Sequence, residues 1–140
     1  MLLTVDDIGN QEAPKMARKY DPDGTRRIGM LDEMTVLIIT GVLTKADLVP
    51  NGEHDQWLQI LRNNGEHRLT HGYYVTRQLT TEQRQARFTT LDETGESEDK
   101  YFKKHPVWSR VNESLRGTSN LTNALSHHLA IMIQEMYSLL

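Results

Sequence analysis

The densest chemistry in the chain is Thr44-Lys45-Ala46-Asp47, which directly follows the apolar run Val36 to Leu43. An ionised Asp presents two oxygens in one plane. They suit a ring N–H beside an exocyclic amino group, the edge that guanine offers, through two parallel charge-assisted hydrogen bonds. Adenine has an acceptor at the first of those positions and lacks the amino group, so it would leave the Asp47 carboxylate unpaired. Lys45 would lay its methylene stem on the base or sugar, and Thr44 would tie the loop to its neighbours. A charged loop after a strand carries the same letters, so the tetrapeptide alone does not decide.

Other reactive residue types lack a spacing that argues for itself. His127 and His128 stand about 100° apart on a helix, which does not bring two ring nitrogens onto one metal. His67 and His71 lack the Glu of a zinc-protease pattern. All four read as surface or half-buried histidines. Asn112-Glu113-Ser114 and Asn120-Leu121-Thr122 match glycosylation acceptors, which matter only on a secretory route. Met1-Leu2-Leu3-Thr4-Val5 runs at once into Asp6 and Asp7, without the form of a signal peptide. No catalytic residue and no metal ligand is assigned, and a soluble, cytoplasmic chain is expected.

The elements that must hold the tetrapeptide follow from pattern and composition. The 140 residues allow at most one domain, with an aliphatic core, since there are only two Trp, five Tyr and two Phe. A formal charge of −3 argues against nucleic acid as a partner, and zero cysteine excludes disulfides and Cys-ligated zinc. Gln11 to Tyr20 reads as a helix leaving through the turn Asp21-Pro22-Asp23-Gly24. Val36 to Leu43 reads as a strand buried on both faces, Glu53 to Asn63 as a helix, and Gly72 to Thr76 as a second strand entered through its glycine. Such alternation implies an α/β fold with parallel strands, which places Thr44 to Asp47 at the carboxyl edge where open sheets bind ligands.

Thr80 to Lys104 is highly charged, with Ala86, Phe88, Tyr101 and Phe102 as its anchors and a solvated loop expected around Asp92 to Asp99. Val107 to Leu115 reads as a short helix and Gly117 as a stop. Thr118 reads as the cap of a long C-terminal helix, with Leu121, Leu125, Leu129, Met132, Met136 and Leu139 on one face. Such a stripe is ordinarily core.

Several separated stretches, in order, resemble the GTPase domain of the dynamin superfamily of large GTPases, in the helix before its guanine-specificity region, that region itself and the closing helices, most of all in its fungal dynamin-like and Mx-like members. They are Asp7 to Ala13 with Lys15-Met16-Ala17, Asp21 to Gly29, Val42 to Val49, His105-Pro106, and Gly117-Thr118-Ser119 with Leu121, Leu125 and Leu129. The resemblance implies guanine recognition by Thr44, Lys45 and Asp47. It also implies a second base-and-ribose loop at Thr76-Arg77-Gln78, where the family usually begins with Asn. GTP or GDP is the implied ligand, with Mg²⁺ in intact relatives. Self-assembly, with membranes or microtubules as partners, and a peripheral membrane association are implied for the relatives as well.

Three departures shape the expectation. None of the nine glycines is followed by Lys, so the 140 residues contain no G-x-x-x-x-G-K-[ST] phosphate loop. Asp-x-x-Gly occurs at Asp6/Gly9, Asp21/Gly24 and Asp92/Gly95, each without a strand before it, and all three read as turns. Residues 30–41 intervene where the family joins Arg-x-Ile-Gly directly to Val-Leu-Thr-Lys, an atypical insert with the character of retained intron sequence. Two registers, Gly29-Met30-Leu31 and Gly41-Val42-Leu43, then compete for one strand. The expectation is the C-terminal portion of a P-loop-NTPase-type GTPase domain, without stalk or effector regions. It would carry base recognition without hydrolysis of its own. The alternative is a non-catalytic helical interaction fragment, or a relic without nucleotide binding, with its helix face at Met132, Met136 and Leu139 uncovered.

Overall fold

The structure, a computed structural model, describes residues 2–3, 19, 40–64, 68–69, 71–86 and 91–138. The expected helix at Gln11 to Tyr20 apart from helical Lys19, the turn after it, most of the 30–41 insert and Leu139 lie outside the described residues.

Among the described residues three strands, β1 (Leu2–Leu3), β2 (Gly41–Leu43) and β3 (Tyr73–Val75), form a parallel sheet in the order β1-β2-β3. In β2 all three residues are buried, as expected of a central parallel strand covered on both faces. The Gly41-Val42-Leu43 register pairs in the sheet, Gly41 with Tyr73, Val42 with Tyr74 and Leu43 with Val75, while Gly29-Met30-Leu31 lies outside the described residues. A Cβ at position 41 would enter the Tyr73 ring, so the strand passes that ring only with glycine there.

Helix α1 (His54–Leu61) buries His54, Trp57, Leu58 and Leu61, whose spacing of three and four makes one face, together with Ile60. It ends where Asn63 adopts a left-handed φ of 58°. The Asn63 amide then closes the following loop in both directions, donating to the Leu69 carbonyl at 2.7 Å and accepting the Leu69 N–H at 2.8 Å. Trp57, Leu58, Ile60, Leu61 and Leu69 join Leu43, Tyr73, Val75, Phe102, Trp108 and Val111 in one core.

Helix α2 (Thr81–Ala86) begins with a capping box. The Thr80 hydroxyl accepts the Gln83 N–H at 3.2 Å, and the Gln83 side chain accepts the Thr80 N–H at 3.1 Å. The loop expected around Asp92 to Asp99 is instead the first half of helix α3 (Leu91–Lys104). Acids in its first turn and lysines in its last complement the helix dipole, and Glu96–Lys100 and Asp99–Lys103 pair at i,i+4. Buried Glu98 and Phe102 fix one face. These outweigh Gly95, whose helix penalty is about 1 kcal/mol. Asp92 and Gly95 are therefore helical residues rather than a turn.

Val107 to Leu115 is not a helix. It is two 3₁₀ turns, Trp108–Arg110 and Glu113–Leu115, with Val111 and Asn112 extended between them. Trp108 packs at 0% exposure in the core, and Arg116 forms an isolated parallel bridge to Val75, which holds this segment against β3 instead of letting it coil. The 21-residue helix α4 (Thr118–Ser138) follows Gly117, whose φ is 89°. No residue of α4 is fully buried: of the stripe expected to be core, Leu121 and Met132 are half-buried, while Leu125, Leu129 (55%) and Met136 (52%) are exposed. No described helix is long and apolar enough to cross a membrane.

Candidate functional site

The parallel register of β2 and β3 ends flush at Leu43 and Val75, so Thr44 and Thr76 leave adjacent strands side by side at their carboxyl ends. The two loops singled out in the sequence are thereby brought together. The Thr76 N–H donates to the Leu43 carbonyl at 2.9 Å, and the Ala46 N–H reaches the Thr76 carbonyl at 3.4 Å. Thr44 and Thr76 are buried, Asp47 and Arg77 half-buried, and Lys45 and Gln78 exposed.

After β2 the chain turns sharply. Lys45 takes φ 57° and ψ 45°, a left-handed conformation that a non-glycine residue adopts at a penalty of about 1–3 kcal/mol and that gathers at functional loops. A 3₁₀ turn, Ala46–Leu48, follows, in which the Leu48 N–H donates to the Lys45 carbonyl at 2.9 Å. Ala46 is buried and turned inward, which leaves Lys45 and Asp47 on the outer side of the turn. Among the described residues no hydrogen bond or ion pair occupies the Asp47 carboxylate. A half-buried acceptor pair with free lone pairs fits the donor-donor edge of guanine.

Residues that the sequence reading did not assign to the site hold these loops from behind. The Trp108 indole N–H donates to the Ala46 carbonyl at 3.1 Å. Trp108 is itself oriented by His105, whose Nδ1 accepts the Val107 and Trp108 N–H groups at 3.2 and 3.3 Å. Burial, with the neighbouring His54, pushes the His105 pKa below the ordinary imidazole value, as suits a ring nitrogen that must stay an acceptor. On the second loop the Arg77 N–H donates to one oxygen of buried Glu98 at 2.8 Å, while the Arg77 guanidinium lies 4.6 Å from the centre of the Tyr101 ring. Burial pushes the Tyr101 hydroxyl above its usual pKa; the charge of Asp47 adds to this and Arg77 opposes it. An open groove of about 420 Å³ beside it is lined by Arg77, Ser97, Lys100, Tyr101, Lys104, His105 and Pro106. Tyr101 was legible in sequence as an anchor. Glu98 sits in a run of charged residues that gives no sign of burial.

Of the histidines weighed in the sequence, His67 lies outside the described residues. His128 is half-buried and His127 exposed, and the His71 and His128 rings meet at 4.2 Å between centres. Among the described residues no three His, Asp or Glu side chains gather into a metal-binding group.

Fold and site together define an α/β protein whose candidate ligand loops lie at the carboxyl edge of a parallel sheet. The chain is 34% identical over 128 residues to the interferon-induced GTP-binding protein MxA of Danio rerio, 88% of this chain and 18% of that relative. It is 32% identical over 135 residues to Mx1 of Ictalurus punctatus, 93% of this chain and 19% of the relative. Against Mx2 of Rattus norvegicus it is 33% identical over 128 residues, 88% of this chain and 17% of the relative. No family model matches. The chain is an Mx-like member of the dynamin superfamily, and it spans about a fifth of the length of the curated relatives it matches.

Proposed function

We propose that this chain binds the guanine base of GTP or GDP. Asp47 accepts the base's two N–H groups, the Lys45 stem lies against base or sugar, Thr44 anchors the loop, and Thr76-Arg77-Gln78 forms the second base-and-ribose loop. The observation that carries this reading is the register of β2 and β3, which sets Thr44 and Thr76 flush at one sheet edge beside a half-buried carboxylate that bonds to no other described residue. The relatives are named as GTP-binding proteins, which favours the same ligand.

On this reading residues 1–140 form the C-terminal portion of a P-loop-NTPase-type, dynamin-type GTPase domain, with 30–41 as an insert. No Gly-Lys pair exists in these residues to build a phosphate loop. The charge-assisted contacts to phosphate and Mg²⁺ then come from elsewhere in an intact protein, and these 140 residues alone bind nucleotide weakly and do not hydrolyse it. Self-assembly, contact with membranes or microtubules, and a cytoplasmic location with peripheral membrane association belong to the same proposal for the whole protein.

A thermal-shift series with GDP, GTP and ATP tests the base contact. Guanine nucleotides should raise the melting temperature, ATP should not, and Asp47→Ala should abolish the difference. Equal shifts with all three nucleotides would remove the reading.

The exposed stripe of α4, with Leu125, Leu129, Ile133 and Met136, favours a second reading as a helical interaction segment without nucleotide binding. A Met136→Asp chain eluting later than wild type in size exclusion, with no guanine-selective shift in either, would support it.

A further inference from the structure

Glu98 is 4% exposed, yet both of its carboxylate oxygens are engaged with backbone. Oε1 accepts the Arg77 N–H at 2.8 Å, and Oε2 accepts the Thr118 N–H at 2.8 Å. One side chain in α3 thus grips the loop after β3 and the first residue of α4, 21 and 20 positions away in the chain. Both partners are donors with few alternatives. Arg77 sits just past the end of β3, beyond its ladder, and the first amides of a helix have no intrahelical acceptor. A carboxylate also complements the positive end of the α4 dipole.

The grip on Arg77 is double. Tyr101 lies three residues after Glu98, on the same face of α3, and its ring takes the Arg77 guanidinium at 4.6 Å. Backbone and side chain of Arg77 are therefore both fixed by one helix face. The Gly117 N–H donates to the Val75 carbonyl at 2.9 Å, which brings the start of α4 against the same strand end. At Gly117 a Cβ would stand 3.7 Å from Glu98 Oε2, ordinary contact, so the left-handed φ rather than space calls for glycine there.

We propose that Glu98 is a positioning residue for nucleotide binding: it sets the backbone of Thr76-Arg77-Gln78, and Tyr101 completes the cradle by holding the Arg77 side chain. This rests on the base-binding reading of residues 44–47 and 76–78. Replacing Glu98 with Gln keeps size and polarity, but it turns one of two acceptors into a donor facing an N–H. One backbone bond is lost and the second loop is released.

The test is an NMR titration of the ¹⁵N-labelled 140-residue chain with GDP, run on wild type, Glu98→Gln and the solvent-exposed control Glu96→Gln. In wild type and control, amides of both loops should respond. In Glu98→Gln, residues 44–48 should still respond, Arg77 and Gln78 should cease to, and affinity should fall roughly tenfold, as for loss of one hydrogen bond to a charged group. Amide exchange without nucleotide should speed up at Arg77 and Thr118 in that variant, while Leu48 stays as in wild type. Glu98→Asp, whose shorter arm reaches one donor, serves if the Gln variant does not fold, and should give a partial loss at the same amides. An unchanged Arg77 response and unchanged affinity in a folded Glu98 variant would overturn the proposal. If wild type shows no response at 44–48, the base-binding reading fails by itself. Wild-type exchange rates at Arg77 and Thr118 in the variant would then overturn the clamp separately.

Discussion

The Trp108 indole N–H donates to the Ala46 carbonyl at 3.1 Å across 62 residues of sequence, fastening the underside of the Lys45–Asp47 turn to the core. Ala46 is 1% and Trp108 0% exposed, so no water replaces this bond when it is removed. Trp108→Phe strands a buried carbonyl and should destabilise the chain by about 1–3 kcal/mol. Urea unfolding reads that loss. Because the carbonyl belongs to the candidate loop, GDP-induced stabilisation should shrink with it, whereas a pure core defect elsewhere, such as Leu58→Ala, should leave the GDP shift in place.

Gly41 faces Tyr73 across the β2–β3 pair, and a Cβ there would enter the ring. Glycine to alanine in a strand ordinarily helps by about 0.5–1 kcal/mol. Here the sign should reverse, with Gly41→Ala destabilising by about 1–3 kcal/mol through overpacking. The decisive comparison is the same substitution in a Tyr73→Ala background, where the penalty should vanish. An equal penalty in both backgrounds would mean that the ring is not what enforces glycine.

What the sequence made legible were the features with a local cause. The apolar run into Leu43, the glycine before Tyr73, the helix over Glu53 to Asn63 and the glycine stop at 117 each announce themselves within a few residues. The loop at Thr76 was named by the family resemblance alone, without a local pattern of its own. Illegible was whatever depended on a distant partner. Asp92 to Asp99 looked solvated because all eight residues are polar or glycine, and only the packing of Glu98 and Phe102 makes the segment a helix. Trp108 fell within the short helix expected over Val107 to Leu115, while its burial in the core and its bond to Ala46 favour a 3₁₀ turn. The α4 stripe had the right period, but period alone does not say whether a face is covered.

His128 gives the chain an acid-sensitive point. Burial pushes its pKa below the usual imidazole value, and the neighbouring His71 and His127 push the same way. Its Nδ1 is buried without a hydrogen-bond partner among the described residues. A depressed histidine pKa means that the unfolded chain binds more protons than the folded one. Stability is therefore full above the ordinary value near 6.5 and declines as pH falls from there through the folded pKa. His105 shifts in the same direction and adds to the trend. Melting temperatures taken from pH 8 to pH 5 should fall on the acid side, and His128→Gln should flatten the slope. A steeper slope in that variant would contradict the sign.

Lys45 separates stability from binding. Its left-handed backbone, φ 57°, is held against an intrinsic penalty of about 1–3 kcal/mol that glycine does not carry. Its side chain is exposed and no described ion pair engages it, so truncation removes little packing. Lys45→Gly should therefore hold or raise the melting temperature, the unfolded-state entropy of glycine offsetting part of the gain. If the lysine stem lies against the base or sugar, the same variant should lose several-fold in GDP affinity. Lys45→Ala should lose the same affinity without the relief of strain, which isolates the side chain's part. Calorimetric titration with GDP beside thermal unfolding reads both quantities. A Gly variant that is less stable and binds GDP as wild type does would show that the turn, rather than the lysine, is what the position requires.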